Sequence, residues 1–275
     1  MATSSSPPDW DAILELAIAL AREAGAELRY RFGRQVAITM KGDRDPVSEA
    51  DYAAETIIRE GIQAHYPRHA ILGEEQGESL PCGPIRWLID PLDGTVNYLH
   101  RFPHFAVSIG VADAQGVQVG VVYDPLRDEL FTARRGVGAF CNGVRCQVST
   151  TADLRQALLA TGFPYDRHRR GDNNHREFMM FNLAAQGVRR SGAAALDLAY
   201  VACGRLDGYW EQHLGPWDVA AGALLVECAG GKVTTYSGDP FDGLGHQLVA
   251  SNGHLHAAML AKLAGVRRRA WASPL

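Results

Sequence analysis

The stretch Trp87-Leu-Ile-Asp-Pro-Leu-Asp-Gly-Thr-Val-Asn97 constrains this chain more than any other. It belongs to a run, IRWLID, whose continuous apolar residues mark a strand buried on both faces. That strand delivers two carboxylates, Asp90 and Asp93, to the point where it leaves the core. Buried like charges repel, and they persist where a cation neutralises them. A plain turn is the competing reading, because Asp, Pro and Gly are turn formers. It accounts for Pro91 and Gly94. It does not account for acids at the end of a core strand, or for the polar Thr95 and Asn97 that follow.

Elsewhere the pattern is mixed. Ile13, Leu16, Ala17, Leu20, Ala24 and Leu28 recur at helical spacing over 9–32, and Gly33 ends that helix. A short strand is expected over 36–41. A second helix over 48–66 has an apolar stripe at Ala53, Ile57, Ile58 and Ile62. HAILGEE reads as a short strand ending at Glu74 and Glu75. Segments 105–111, 118–123, 129–134 and 139–141, separated by Gly, Pro and Asp turns, read as an antiparallel meander. Beyond residue 150, strands (158–161, 188–190, 208–211, 247–250) alternate with helices (177–186, 194–203, 217–229, 255–264). The expected fold class is α+β in the first part and α/β in the second, with no internal repeat.

Four separate places put acids at the end of an apolar segment: Asp51 on the second helix, Glu74 with Glu75, Asp90 with Asp93, and Asp218 just after Pro216 and Trp217. Alone, Asp218 reads as a favourable charge in the first turn of a helix, and Glu74-Glu75 as a solvated turn. Gathered together, such acids need a cation. Oxygen ligands without His or Cys select a hard ion, and a few carboxylates with open positions suit Mg²⁺ better than a caged Ca²⁺. Two or three such ions polarise phosphoryl oxygens, activate water and stabilise a leaving alkoxide. Gly94 and Thr95 offer backbone N–H groups where a phosphate can dock. The chemistry indicated is metal-assisted hydrolysis of a phosphate ester. His100, His104 and His213 are isolated and read as polar contacts or surface residues.

Composition narrows the alternatives. With 275 residues, 47% hydrophobic and 21% charged, the chain suits one large domain or two tightly packed ones. A net charge of -4 favours neither nucleic acid nor an acidic membrane as a partner. Arg267-Arg268-Arg269 reads as a solvated helix end. No apolar run approaches the ~18 residues of a membrane span. The N-terminal MATSSSPPDW lacks the basic and apolar regions of a signal peptide. The five cysteines, at 82, 141, 146, 203 and 228, show no C-x-x-C pairing, which indicates core thiols in a reducing compartment. A cytoplasmic location is expected.

GEE (73–75), WLIDPLDGTVNYLHRFPHFAVSIG (87–110) and WDVAAGALLVECAGG (217–231) together resemble the inositol monophosphatase family of Mg²⁺-dependent, lithium-sensitive sugar phosphatases. The resemblance runs over residues 10 to 265 and implies a layered αβαβα sandwich and a homodimer. It implies metal ligation by Glu74, Asp90, Asp93, the Leu92 carbonyl and Asp218, around two or three Mg²⁺ ions. Glu74 would also hold the attacking water, with Thr95 as its partner and Asp51 behind the Thr95 hydroxyl. Phosphate would meet the Gly94 and Thr95 N–H groups, with Lys41 nearby. The alcohol would meet Gly192, Ala193, Ala194 and Glu211. Ala193 departs from the Thr that many inositol phosphatases carry, which removes a hydroxyl contact.

The expected organisation is a disordered leader over 1–8, an α+β half over 9–150 with the metal motifs, an α/β half over 151–266 with the substrate residues and last ligand, and a basic tail over 267–275. The implied reaction is hydrolysis of inositol monophosphate by a metal-activated water. The alternatives are a broader sugar or nucleotide phosphatase, acting on fructose 1,6-bisphosphate, NADP or histidinol phosphate, and a dual-role protein that also binds transcription machinery.

Overall fold

The computed structural model describes residues 8–35, 37–42, 45–79 and 83–270. All of the expected leader except Pro8 lies outside the described residues, as do Cys82 and residues 271–275 of the expected tail. Residues 267–270 continue the last helix.

The chain begins with α1 (Trp10–Arg31), capped by the Asp9 carboxylate, which accepts from the Asp11 and Ala12 N–H groups at 3.1 Å. A small hairpin, β1 (Ile38–Gly42) and β2 (Asp45–Ser48), leads into α2 (Glu49–His65). Then come β3 (Ala70–Gly73), β4 (Gly77–Glu78), β5 (Arg86–Asp93), the short α3 (Thr95–Leu99), and β6 (Ala106–Asp113), β7 (Gly116–Asp124), β8 (Glu129–Arg134), β9 (Gly138–Cys141) and β10 (Val144–Arg145). The second part runs β11 (Leu158–Thr161), α4 (His175–Ala184), β12 (Gly187–Arg189), α5 (Ala194–Ala202), β13 (Gly208–Gln212), α6 (Pro216–Cys228), β14 (Lys232–Thr234), β15 (Gln247–Ser251) and α7 (His256–Ala270).

β3 to β10 form an eight-stranded sheet, order β10-β9-β8-β7-β6-β5-β3-β4, in which only β3 and β5 pair in parallel. β11 to β15 form a five-stranded sheet, order β12-β11-β13-β15-β14, parallel among its first three strands and antiparallel beyond. α1 and α2 cover one face of the larger sheet with Ile13, Leu28, Ile58 and Ile62 against Trp87 and Ile89. α5 and α6 fill the space between the sheets, and α4 and α7 cover the outer face of the smaller one with Phe181 and Met259 against Trp210. The result is the αβαβα layering. Every residue of α6 from Val219 to Val226 is buried, as a helix between two sheets requires.

The element spacing follows the sequence patterns with ends shifted by a few residues, and two readings need correction. The buried stripe of α2 runs through Ala50, Ala54, Ile58 and Ile62, while Ala53 and Ile57 are only half-buried. The helix is rotated because Asp51, Glu55 and Arg59 are buried beside the stripe. The strand IRWLID does not end at Asp90 in a plain turn. β5 continues to Asp93, and its register with β6 slips between Asp90, opposite Ser108, and Asp93, opposite Ala106. The strand expected over 36–41 corresponds to β1 (Ile38–Gly42), with Val36 outside the described residues, and its partner β2 has no counterpart in the sequence pattern. Among the described cysteines, Cys141, Cys146, Cys203 and Cys228 are free thiols, of which Cys146 alone is fully buried. No described helix is long and apolar enough to cross a membrane.

Candidate active site

The acids are brought together by the ends of three elements. The slip in β5 places Pro91 and Leu92 against the single Val107 of β6, so Asp90 and Asp93 emerge near each other instead of further along the pleat. Glu74 follows β3, the parallel neighbour of β5, and its N–H donates to the Ile89 carbonyl at 3.1 Å. Asp218 sits in the first turn of α6, where its carboxylate accepts from the Gly215 N–H at 2.7 Å. One carboxylate oxygen from each of Glu74, Asp90 and Asp218 lies within 4.8 Å of the others. Among the described residues, no other group of three acids, histidines or cysteines converges in this way.

Burial and mutual repulsion make this arrangement costly as bare charge. Asp90 is held well above the usual carboxylate range by burial and then by Glu74, Asp93 and Asp218. Asp218 is pushed up to about 8, chiefly by burial and next by Glu74. Asp93 is likewise raised by burial and by Asp218, although its two oxygens accept from the Ala194 and Ala195 N–H groups of α5 at 3.1 and 2.7 Å. Lys41 reaches across from β1 to Glu74 and Glu75, 2.9 Å from each. Burial pulls its ammonium down, but these two acids hold it above its ordinary value. The second oxygen of Glu75 is buried without a hydrogen-bond partner, and burial followed by Glu74 raises this group to about 7. Converging hard oxygen donors with surplus negative charge fit a divalent cation such as Mg²⁺. Glu74, Asp90 and Asp218 could hold it directly, with Asp93 and the Leu92 carbonyl alongside.

Next to this cluster the chain turns into α3. Gly94, its N-cap, has φ 99°, and a Cβ there would lie 3.1 Å from the His104 carbonyl oxygen and 3.2 Å from that of Gly192. A side chain is disfavoured twice over, by the positive φ and by the tight approach of these carbonyls. The Thr95 hydroxyl donates towards Asp51 and towards the Leu92 carbonyl, 3.1 Å from each. The other Asp51 oxygen is held by the Ser48 N–H and hydroxyl, at 2.9 and 2.6 Å. Burial first, opposed by the Ser48 bonds, raises Asp51 to about 6. Asn97 donates to the carbonyls of His104 (2.8 Å) and Ser191 (2.9 Å), tying this turn to the segment before α5.

A cleft of about 260 Å³ opens from the cluster. Glu74, Asp90, Asp93 and Asp218 line it together with Glu211, Gly192, Ala193 and Ala194. Lys41 and Asp51 stand behind this lining and act on it through Glu74 and Thr95. Glu211 accepts a hydrogen bond from the Tyr209 hydroxyl. Burial raises it to about 7, against the opposing pull of Tyr209 and the Arg190 guanidinium. His213 lies on the rim, bonded to Asp172 at 2.9 Å, away from the acidic cluster.

The chain matches the inositol monophosphatase family over residues 9–268. The chain belongs to that family. It is 48% identical to "Inositol-1-monophosphatase" of Synechocystis over 261 residues, 94% of this chain and 91% of the relative. It is 45% identical to "Nus factor SuhB" of Escherichia coli over 256 residues, 91% of this chain and 95% of that one. The structure of inositol monophosphatase from Anabaena superposes with a TM-score of 0.85 at 44% identity, over 94% of this chain and 97% of that one.

Family motifs do not reveal everything that holds the site. Glu55, fully buried on α2, accepts from the Glu75 N–H at 2.8 Å, the Gln76 N–H at 3.1 Å and the Arg59 guanidinium at 2.6 Å. Arg59 in turn donates to the Gly77 carbonyl. This ion pair clamps the turn that presents Glu74. Its trace in the sequence is the polar row Asp51, Glu55, Arg59 at four-residue spacing.

Glu55→Gln removes the negative partner and leaves a buried guanidinium uncompensated. The expected loss in denaturant unfolding is about 3 to 5 kcal/mol. A loss below about 1 kcal/mol, the value of an exposed pair, would show that the clamp contributes little.

Proposed function

We propose that this protein hydrolyses the phosphate monoester of inositol monophosphate with Mg²⁺ held by its carboxylates. The observation that carries this reading is one cleft lined both by the converging Glu74, Asp90 and Asp218 and by Glu211. Relatives that bear the name inositol-1-monophosphatase support the choice of substrate. When bound, Mg²⁺ would polarise the phosphoryl oxygens and acidify water.

The chain's own groups then have distinct tasks. The Gly94 and Thr95 N–H groups take the phosphate oxygens. Glu74 orients the attacking water in line with the leaving oxygen. Thr95 donates its hydroxyl hydrogen to Asp51, so its oxygen faces the water as an acceptor. A proton leaving the water can pass to that oxygen as the Thr95 proton passes to Asp51. Asp218 orients a water that returns a proton to the departing alkoxide. Glu211 accepts from ring hydroxyls, which selects a polyol over a simple ester. The same reading, taken from the family resemblance, includes a homodimer, a cytoplasmic location and inhibition by Li⁺.

A substrate panel at fixed Mg²⁺ tests this. Phosphate release is expected to be fastest from inositol 1-phosphate, ahead of fructose 1,6-bisphosphate, NADP and histidinol phosphate, and to fall in tens of millimolar Li⁺. Asp90→Asn should lower it by at least about a hundredfold. Near-wild-type turnover by a folded Asp90→Asn protein would refute the metal-site assignment, and a preference for another panel member would replace the substrate.

A second reading has its own support, since several relatives at 44–46% identity carry the name Nus factor SuhB. On that reading the protein also binds transcription machinery through a surface that does not need the carboxylates. Pull-down with RNA polymerase should then recover the wild type and Asp90→Asn equally. Recovery of neither would remove this role.

A further inference from the structure

The wall of the cleft that carries Glu211 depends on a residue that lies outside the family motifs. Asn174 precedes α4, is fully buried and has φ 67°, a conformation that Asn tolerates better than most residues. Its amide nitrogen donates to the Thr161 hydroxyl at 2.7 Å and to the Gly162 carbonyl at 2.6 Å. Its amide oxygen accepts from the Trp210 indole N–H at 2.8 Å. The indole can only donate, so the amide orientation is fixed by chemistry: oxygen towards Trp210, nitrogen towards the end of β11. The Thr161 hydroxyl donates onward to the Trp210 carbonyl at 2.5 Å, which closes the ring.

Both strands joined in this way bear on Glu211. Trp210 is its neighbour on β13. Gly162 faces its carboxylate so closely that a Cβ there would lie 2.1 Å from both oxygens. The carboxylate therefore fits between Gly162 on one side and the Tyr209 hydroxyl on the other. Any shift of β11 against β13 would close or widen that gap. Thr161, Gly162 and Glu211 all line the cleft, whereas Asn174 does not touch it.

We propose that Asn174 is a positioning residue for substrate selection: by joining Thr161 and Gly162 to Trp210, it sets the gap that aims Glu211 at the alcohol of the substrate. This rests on the reading of Glu211 as the acceptor of substrate hydroxyls. Asn174 leaves the phosphate end untouched, so its loss separates recognition of the alcohol from hydrolysis of the ester.

The test compares Asn174→Asp, which keeps size and shape but cannot donate twice to β11, with wild type on two substrates. One is the polyol phosphate that wild type hydrolyses best, the other is p-nitrophenyl phosphate, which has no ring hydroxyls. The variant should lose about ten- to a hundredfold in kcat/KM on the polyol phosphate, mostly through KM, and stay within about twofold on the aryl phosphate. The Trp210 indole N–H resonance should shift, and Trp210→Phe, which removes the same link from the other side, should give the same substrate split. Equal losses on both substrates would mean that Asn174 is merely structural, and no loss on either would also overturn the proposal. Should Asn174→Asp fail to fold, Trp210→Phe decides by the same ratio. Failure of the substrate reading would appear in wild type alone, as a preference for the aryl phosphate, whereas failure of the positioning role appears in the ratio between variant and wild type.

Discussion

Repulsion among buried carboxylates is the constraint on which the site depends. Glu74, Asp90 and Asp218 come from β3, β5 and α6, and each would be easier to bury alone. They are forced together by backbone that has already been committed to the core: a parallel strand pair, a register slip against β6, and a helix enclosed between two sheets. Burial and the neighbouring acids raise the proton affinity of Asp90 and Asp218. Lys41 offsets part of this charge and does so from an exposed hairpin rather than from the core. On the proposed reading, a divalent cation would relieve repulsion that the fold itself has created.

The same logic separates two kinds of support. The acids are aimed by backbone, through the slip in β5 and the capping bond from Gly215 to Asp218. The groups around them are aimed by buried polar side chains: Glu55 and Arg59 behind Glu74, Asp51 behind Thr95, Asn97 between α3 and the approach to α5. Each of these side chains satisfies several donors or acceptors at once, which is the condition for a polar group to remain in the interior. They tie α2 to the turn after β3 and to α3, and α3 to the approach to α5.

Much of this was legible in the sequence, and the reason is physical. Continuous apolar runs such as IRWLID exposed the central strand, and helical spacing exposed α1. The acids Asp90, Asp93, Glu74 and Asp218 stood out because acids are rare at the ends of core segments. What was missed had the opposite character. The stripe of α2 was misplaced because Glu55 and Arg59 look like surface residues until their partners are known, and those partners are backbone N–H and carbonyl groups of residues 75–77. The slip in β5 could not be read from Pro91 and Gly94, which signal a turn, and only pairing with β6 distinguishes a bulge. Asn174 gave no periodic signal at all; its role lies in contacts with residues 12, 13 and 36 positions away.

The most direct test of the account is the unfolding stability of wild type and Asp218→Asn with excess Mg²⁺ and with a chelator. If repulsion among the carboxylates is the constraint, the variant is at least as stable as wild type in the chelator, because one buried charge is gone. Mg²⁺ at about a hundredfold over its dissociation constant should stabilise wild type by about 2.7 kcal/mol and the variant by much less, so the order reverses. A wild type indifferent to Mg²⁺, or a variant less stable by the same margin in both conditions, would contradict it.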